Sequence, residues 1–97
     1  MSRRSRIIEL LSSSEGALTA REISRDLGII EPTVARDLKH IARTLRNRGE
    51  ILLTRPASCS ECGYTFQPRA SSPGRCPICR STRIDPPAFT ISPGEGG

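Results

Sequence analysis

The apolar residues of the first dozen positions recur at helical spacing. They are Ile7, Ile8, Leu10 and Leu11. All four fit one face of a first helix over residues 3–12. The polar run from Ser12 to Gly16 has the composition of a loop, so the pattern predicts that this helix ends there.

A second and a third helix are predicted from their end signals. Thr19 and Glu22 match a capping box, in which each side chain accepts a hydrogen bond from the backbone N–H of the other residue. The helix that they open is expected to end at Gly28. Pro32 suits the first position of a third helix, because its missing N–H is not needed there, and that helix is expected to run to about Arg48. Two helices joined by so short a turn are typical of a helix-turn-helix.

The pattern changes after Gly49, where helical spacing gives way to short apolar runs. Residues 50–55 read E-I-L-L-T-R and predict a strand, and residues 88–91 predict a second one. Between them, residues 57–85 contain all the cysteines and few large apolar groups. Residues 92–97 are predicted to be a disordered tail.

The four cysteines form two C-x2-C units separated by thirteen residues. They are Cys59, Cys62, Cys76 and Cys79. Each unit can direct two thiolates at one ion, and two units complete a tetrahedral site with no open position. The surrounding segment is too poor in apolar residues to form a core, so metal binding must supply its folding energy. The spacing therefore predicts one structural Zn²⁺ ion per chain.

Other uses of the cysteines are less favoured. Disulfides need an oxidising compartment, whereas the amino-terminal residues contain no export signal and no membrane span, so we expect a cytoplasmic protein. A thioredoxin-like redox pair needs a βαβ setting that this pattern lacks. Iron in a rubredoxin-like site is the main alternative to zinc. Rubredoxin knuckles usually continue with Gly after the second cysteine, and Gly63 fits this pattern but Arg80 does not.

Composition limits the range of functions. The 97 residues include fifteen basic and ten acidic side chains, and all the basic ones except Lys39 are Arg. Residues 1–57 hold eleven of the basic and seven of the acidic residues, so the positive charge lies in the helical part. This balance favours an anionic partner, because Arg is well suited to phosphate and guanine. The sequence has few aromatic residues and no catalytic constellation, so we do not expect an enzyme.

The third helix has two different faces when each residue advances by about 100°. The predicted buried face consists of Val34, Leu38, Ile41 and Leu45. The opposite face is cationic and contains no carboxylate, while Asp37 lies nearer the buried edge. Thr33, Arg36 and His40 are placed to reach base edges, and Lys39, Arg43 and Arg46 to reach phosphates. A solvated surface face is the alternative interpretation.

The segments LTAREISRDLGI (18–29) and EPTVARDLKHI (31–41) resemble winged helix-turn-helix transcriptional regulators. With the strands and the two C-x2-C units, the whole chain resembles the archaeal family of predicted transcriptional regulators with a rubredoxin-like zinc ribbon inserted in the wing. The resemblance implies an α+β fold of three helices and a β-hairpin wing. It implies a winged helix-turn-helix domain of residues 1–56 and 86–91, with residues 57–85 as the inserted four-cysteine zinc ribbon.

The resemblance also implies that double-stranded DNA is the partner. Arg55, Arg69 and Arg75 flank the insertion in an otherwise thinly charged segment, so our leading hypothesis is that the ribbon serves as an enlarged wing with these arginines near phosphates. As an alternative function, the ribbon would be a docking surface for a protein of the transcription machinery, with Tyr64, Phe66 and Ile78 exposed. Tyr64 and Phe66 can instead cover the metal site. Electron transfer by bound iron is a third, less favoured function.

Two further expectations concern assembly and stability. A homodimer is the usual way for such regulators to bind two half-sites, although no segment of the sequence specifies an interface. Removal of the metal is expected to unfold residues 57–85 and to spare much of the helical part.

Overall fold

The computed structural model describes residues 2–94, which form a mixed α+β fold. The three helices are α1 (Arg3–Ser13), α2 (Ala20–Leu27) and α3 (Glu31–Asn47). The five strands are β1 (Leu18–Thr19), β2 (Glu50–Arg55), β3 (Ser58–Cys59), β4 (Ile84–Asp85) and β5 (Ala88–Pro93). None of the helices in residues 2–94 combines the length and the hydropathy that a membrane span requires.

The predicted ends of α2 are confirmed, whereas α1 continues to Ser13, so Ser12 and Ser13 are helical and not part of the predicted loop. The Thr19 hydroxyl accepts a hydrogen bond from the Glu22 N–H, and the Glu22 carboxylate accepts one from the Thr19 N–H. Gly28 ends α2 in the left-handed conformation, with a φ of 68°. α3 begins at Glu31, one residue before the predicted position, and its N-cap residue Ile30 makes no side-chain hydrogen bond to the helix.

The strands form two antiparallel sheets. The larger one has the order β1-β5-β2, and the smaller one pairs β3 with β4. Leu52 pairs with Ile91 in the β2–β5 ladder, and Leu18 of β1 pairs with Phe89 on the other side of β5. β5 is therefore the central strand, although it follows the cysteine segment in the chain.

One predicted boundary is wrong. β5 continues to Pro93, so Ser92 and Pro93 belong to the sheet and not to a disordered tail. Ser92 pairs with Ile51, and the Gly94 N–H donates a hydrogen bond to the Gly49 carbonyl oxygen at 2.7 Å. This hydrogen bond closes the end of the ladder next to the turn after α3. Residues 95–97, the rest of the predicted tail, lie outside the described residues.

The core lies between the three helices and the larger sheet. Val34, Leu38, Ile41 and Leu45 are fully buried, which confirms the predicted inner face of α3. They pack with Ile7, Leu11 and Ile23 of the other helices and with Phe89 of β5. Ala70, which lies in the cysteine segment, also packs against this cluster. The helical part therefore takes apolar groups from within and after the cysteine segment.

Asp37 is buried beside this core and is paired with two arginines of α1. Both Nε and Nη2 of Arg3 donate hydrogen bonds to its carboxylate, and Nε of Arg4 donates a third at 3.3 Å. The hydrogen bonds from Arg3 lower the pKa of Asp37, against the opposing effect of burial. The ion pairs thus attach the beginning of α1 to the middle of α3.

Acidification is expected to remove this stabilisation. Because the folded-state pKa of Asp37 is lowered, its contribution is fully present above the unfolded-state value of about 3.9 and is lost as the pH falls through the lower folded-state value. Asp37→Asn is expected to lower the free energy of unfolding at neutral pH by about 1–3 kcal/mol. The difference from the wild type should shrink below about pH 4. Urea titrations of both proteins across this pH range measure the difference in the free energy of unfolding. A difference that does not depend on pH would contradict the role assigned to the Asp37 carboxylate.

Candidate metal centre and nucleic-acid interface

The two C-x2-C units form two knuckles with the same backbone hydrogen bonds. In the first, the Cys59 N–H donates to the Tyr64 carbonyl oxygen at 2.8 Å, and the Gly63 N–H donates to the Cys59 carbonyl oxygen at 2.9 Å. In the second, the equivalent bonds join Cys76 with Ser81 and Arg80 with Cys76, both at 2.9 Å. The two knuckles are therefore structural repeats of each other.

The knuckles bring the four sulfur atoms together. The Sγ atoms of Cys59, Cys62, Cys76 and Cys79 all lie within 4.8 Å of one another. The Cys59–Cys79 and Cys62–Cys76 separations are 3.5 and 3.6 Å, far longer than a disulfide bond of about 2 Å. A tetrahedral site with Zn–S bonds of about 2.3 Å needs S···S separations of about 3.8 Å. The four thiols therefore fit a single metal ion.

The surroundings of the thiols favour metal binding. Burial opposes ionisation of Cys76, but the N–H groups of Cys79 and Ile78 outweigh it and lower the pKa of this thiol to about 7. The Ser81 N–H likewise lowers the pKa of Cys79. The neighbouring thiol of Cys59 and burial have the opposite and larger effect, and together they raise the pKa of Cys79 to about 12. Without a metal the four thiols cannot all ionise at neutral pH. Metal binding must therefore displace protons, and its affinity falls in acid.

Arg80 occupies the position at which the first knuckle has Gly63. Both residues are in the left-handed region, with φ values of 63° for Arg80 and 80° for Gly63. The departure from the CxxCG pattern therefore leaves the backbone of the second knuckle unchanged. It also means that the geometry of the knuckles does not separate zinc from iron.

Substitutions at these two positions are expected to change the metal affinity in opposite directions. Arg80→Gly relieves a conformation that costs a residue with a side chain about 1–2 kcal/mol, and we expect tighter metal binding by a few-fold. Gly63→Ala is the matched control, because an added Cβ there meets no atom within 4 Å and the cost is purely conformational. Competition with a zinc chelator measures both affinities. Weaker binding by Arg80→Gly or tighter binding by Gly63→Ala would contradict the expectation.

The metal site is open to solvent on one side. Cys59 and Cys76 are buried, whereas Cys62 and Cys79 are exposed. Tyr64 and Phe66 are half-buried and pack edge to face with a centroid separation of 4.9 Å. Ile78, at the tip of the second knuckle, is 67% exposed.

The predicted DNA-contacting residues of α3 lie together. The exposed ones are Arg36, Lys39, His40, Arg43 and Arg46, and Thr33 at their edge is half-buried. None of these side chains forms an ion pair with a residue of the range 2–94. Asp37, the carboxylate in the middle of α3, is turned inward. The outer face of α3 therefore keeps its positive charge.

The predicted cations outside α3 differ in their surroundings. Arg55 lies on the outer face of β2, close enough to Glu22 to act on its carboxylate, and it shares a surface depression with Asp85. Arg69 and Arg75 are exposed in the irregular segment between the knuckles. Arg55 is thus partly balanced by acidic neighbours.

Two features of this region were not predicted from the sequence. One is the pairing of Arg3 and Arg4 with Asp37, which joins residues more than thirty positions apart. The other is a groove of about 650 Å³ between the beginnings of α2 and α3 and the cysteine segment, lined in part by Arg21, Pro32 and Ser71. Neither feature leaves a local pattern, because both depend on how distant segments pack.

Comparison with known proteins assigns the family. The family model described as PF0610-like, N-terminal, matches residues 2–53, which is more than half of the chain. The chain belongs to the PF0610-like family. A second model, the PF0610 rubredoxin-like zinc beta-ribbon domain, matches residues 56–93. It indicates zinc as the metal and extends through β5, the strand that pairs with β2.

One solved structure agrees with this PF0610-like assignment over nearly the whole chain. It is the solution NMR structure of protein PF0610 from Pyrococcus furiosus, with 36% sequence identity and a TM-score of 0.79. The alignment covers 93% of this chain and 88% of the other. No curated protein is significantly similar to this chain.

Proposed function

We propose that this protein is a DNA-binding transcriptional regulator of the winged-helix type, in which one structural zinc ion per chain holds a ribbon in place of the wing tip. The observation that carries the proposal is the outer face of α3, where the exposed cations have no acidic partner among residues 2–94. A solvated helix face usually mixes both charges, whereas a face that meets phosphates is cationic. The zinc is structural and not catalytic, and we propose no enzymatic activity.

The order of the elements supports the same function. α2 and α3 are joined by a three-residue turn, and a hairpin of β2 and β5 follows with the ribbon between its strands. In a helix-turn-helix the second helix enters the major groove with its amino-terminal half toward the bases. Arg36 lies in that half and Arg43 lies further along, so their proposed contacts are to a base edge and to a phosphate.

Substitution of these two arginines tests the proposal. Arg36→Ala should weaken binding to a selected duplex about tenfold and relax its sequence preference. Arg43→Ala should weaken binding to all duplexes alike and reduce the slope of log K against log salt by about 0.9. Arg83→Ala is a matched control, because it removes the same charge from a guanidinium that Glu61 already pairs at 3.4 Å. Duplex selection with the zinc-loaded protein, followed by salt titration, measures all three.

The three variants distinguish specific DNA contacts by α3 from a general attraction between a basic protein and DNA. If Arg83→Ala weakens binding as much as Arg43→Ala does, the loss of affinity reflects net charge and gives no support to a specific contact by Arg43. Absence of any salt-sensitive duplex binding by the zinc-loaded protein would reject the function altogether.

The ribbon is proposed to act as an enlarged wing through Arg55 at its base and through Arg69 and Arg75, the two exposed arginines between the knuckles. Replacing Arg69 and Arg75 with Ala should lower DNA affinity and reduce the salt slope by about 1.8, if each contacts one phosphate. An unchanged slope would contradict this role.

Zinc and iron are distinguished by metal analysis and by visible absorption, since an iron site of this type absorbs visible light and a zinc site does not.

Ile78 supports a second candidate function for the ribbon. Its side chain is 67% exposed at the tip of a knuckle, where an apolar group has no role in metal binding. Docking of a protein of the transcription machinery would bury it. Ile78→Ser should then abolish that association while zinc content and DNA affinity stay unchanged. A loss of DNA affinity in this variant would instead place Ile78 at the DNA.

A further inference from the structure

The arrangement of Arg3, Arg4 and Asp37 has properties that stabilisation alone does not require. The Asp37 side chain is completely buried, whereas both arginine side chains remain 49% exposed. Two guanidinium groups therefore converge on one carboxylate and leave an excess positive charge at the surface. A single arginine with two hydrogen bonds, as Arg3 provides, already satisfies both carboxylate oxygens.

The second arginine keeps most of its hydrogen-bonding capacity. Arg4 pairs with Asp37 only through its Nε, which donates to Oδ1 at 3.3 Å. A guanidinium has five N–H donors in a fixed plane, so holding Nε orients both terminal nitrogens without using them. The side chain that carries these nitrogens is half-exposed. Arg4 is thus a cation whose orientation is set in advance and whose terminal donors can reach a ligand.

The position of this cation relates it to the outer face of α3. Asp37 is four residues after Thr33 and three before His40, so the three side chains are neighbours on the helix surface. Thr33 and His40 form the margin of the cationic face. The guanidiniums that cover Asp37 therefore lie along one flank of that face. When a helix enters the major groove, the phosphate backbone runs along its flanks.

We propose that Arg4, positioned by Asp37 and supported by Arg3, binds a backbone phosphate of duplex DNA at the flank of α3. The inference rests on the proposed DNA-binding function and adds a contact from α1 to it. Terminal nitrogens presented as a pair match the two oxygens of a phosphate, which gives a short, charge-assisted contact. Asp37 is a positioning residue that does not touch the DNA.

Substitutions in α1 test the phosphate contact with the full-length, zinc-loaded protein. Arg4→Ala should weaken binding to every duplex about tenfold and reduce the salt slope by about 0.9. Arg6→Ala is the matched control, because it removes the same charge from the same helix at an exposed residue that does not pair with Asp37. Its effect should stay within about twofold at moderate salt, because no carboxylate holds its guanidinium in a fixed orientation and exposed charges are screened.

Asp37→Asn separates positioning from simple charge. The substitution removes a negative charge, so Coulomb attraction alone predicts tighter DNA binding. If Asp37 positions Arg4, binding should instead weaken about three- to tenfold, because the terminal nitrogens lose their fixed orientation. Nuclear magnetic resonance spectra of the free variants test whether the core is intact. The Arg4→Ala result remains informative even if Asp37→Asn perturbs the fold.

The outcomes distinguish this inference from the proposed function. If Arg4→Ala behaves like Arg6→Ala while Arg36→Ala and Arg43→Ala weaken binding, the phosphate contact is wrong and the DNA-binding function stands. Tighter binding by a folded Asp37→Asn variant would also overturn the positioning role. If the zinc-loaded wild type shows no salt-sensitive duplex binding, the proposed function itself fails.

Discussion

Removal of the metal is expected to unfold residues 57–85 and, in the same transition, to disrupt the larger sheet. Small four-cysteine zinc sites contribute on the order of 10–16 kcal/mol of apparent folding energy, which is comparable to the whole stability of a domain this size. The sequence alone predicted that the helical part would be spared. The structure changes this expectation, because β5 follows the ribbon and contributes Phe89 to the helical core.

Chelation followed by amide NMR measures this effect residue by residue. Signals of the knuckles should lose their dispersion, and those of β2 and β5 should broaden or shift with them at the same chelator concentration. A variant with Cys76→Ser and Cys79→Ser is the matched control, since chelator should produce no further change in it. Unchanged signals from β5 and from the core of α3 in metal-free protein would contradict the coupling.

Phe89→Ala is expected to have the second-largest effect, a loss of about 3–5 kcal/mol in the free energy of unfolding at saturating zinc. Phe89 is 1% exposed and is the largest fully buried side chain among the described residues. It joins the helices to the central strand, so its truncation should leave a cavity at the junction. A domain with a total stability of about 5–15 kcal/mol would become marginal.

Phe66→Ala is the matched control for this substitution. It removes the same side chain, but from a half-buried position in the ribbon where the ring packs on Tyr64. We expect it to cost clearly less in urea or guanidinium unfolding followed by circular dichroism at the helix wavelength. Equal losses from the two variants would mean that the core does not depend on β5.

Much of the fold could be predicted because its signals are local. The apolar spacing of α3 identifies its buried face, and the Thr19–Glu22 capping box and Gly28 identify the ends of α2. The paired C-x2-C units identify the metal ligands before any fold is known, because each unit positions its own two thiols.

The features that escaped prediction depend on contacts between distant segments. β1, β3 and β4 have two residues each, too few for an alternating pattern to emerge. Asp37 lies at the edge of the buried face, but its sequence position does not identify Arg3 and Arg4 as its partners. In the sequence, Arg80 departs from the CxxCG pattern of the knuckles. In the structure, it adopts the same left-handed conformation as Gly63.

The placement of the ribbon between β2 and β5 has a consequence for the order of folding. In the β2–β5 ladder Arg55 pairs with Ala88, so the unfolded chain must close a loop of residues 56–87 before the first pair can form. Closing a loop costs entropy that grows with the logarithm of its length. A ribbon already folded around zinc, in which Ser58 pairs with Asp85, shortens the effective loop to about four residues and reduces this cost by about 2 kcal/mol. We therefore expect the bound metal to act early, as a crosslink that speeds strand pairing, so refolding of the sheet should be faster when zinc is present from the start.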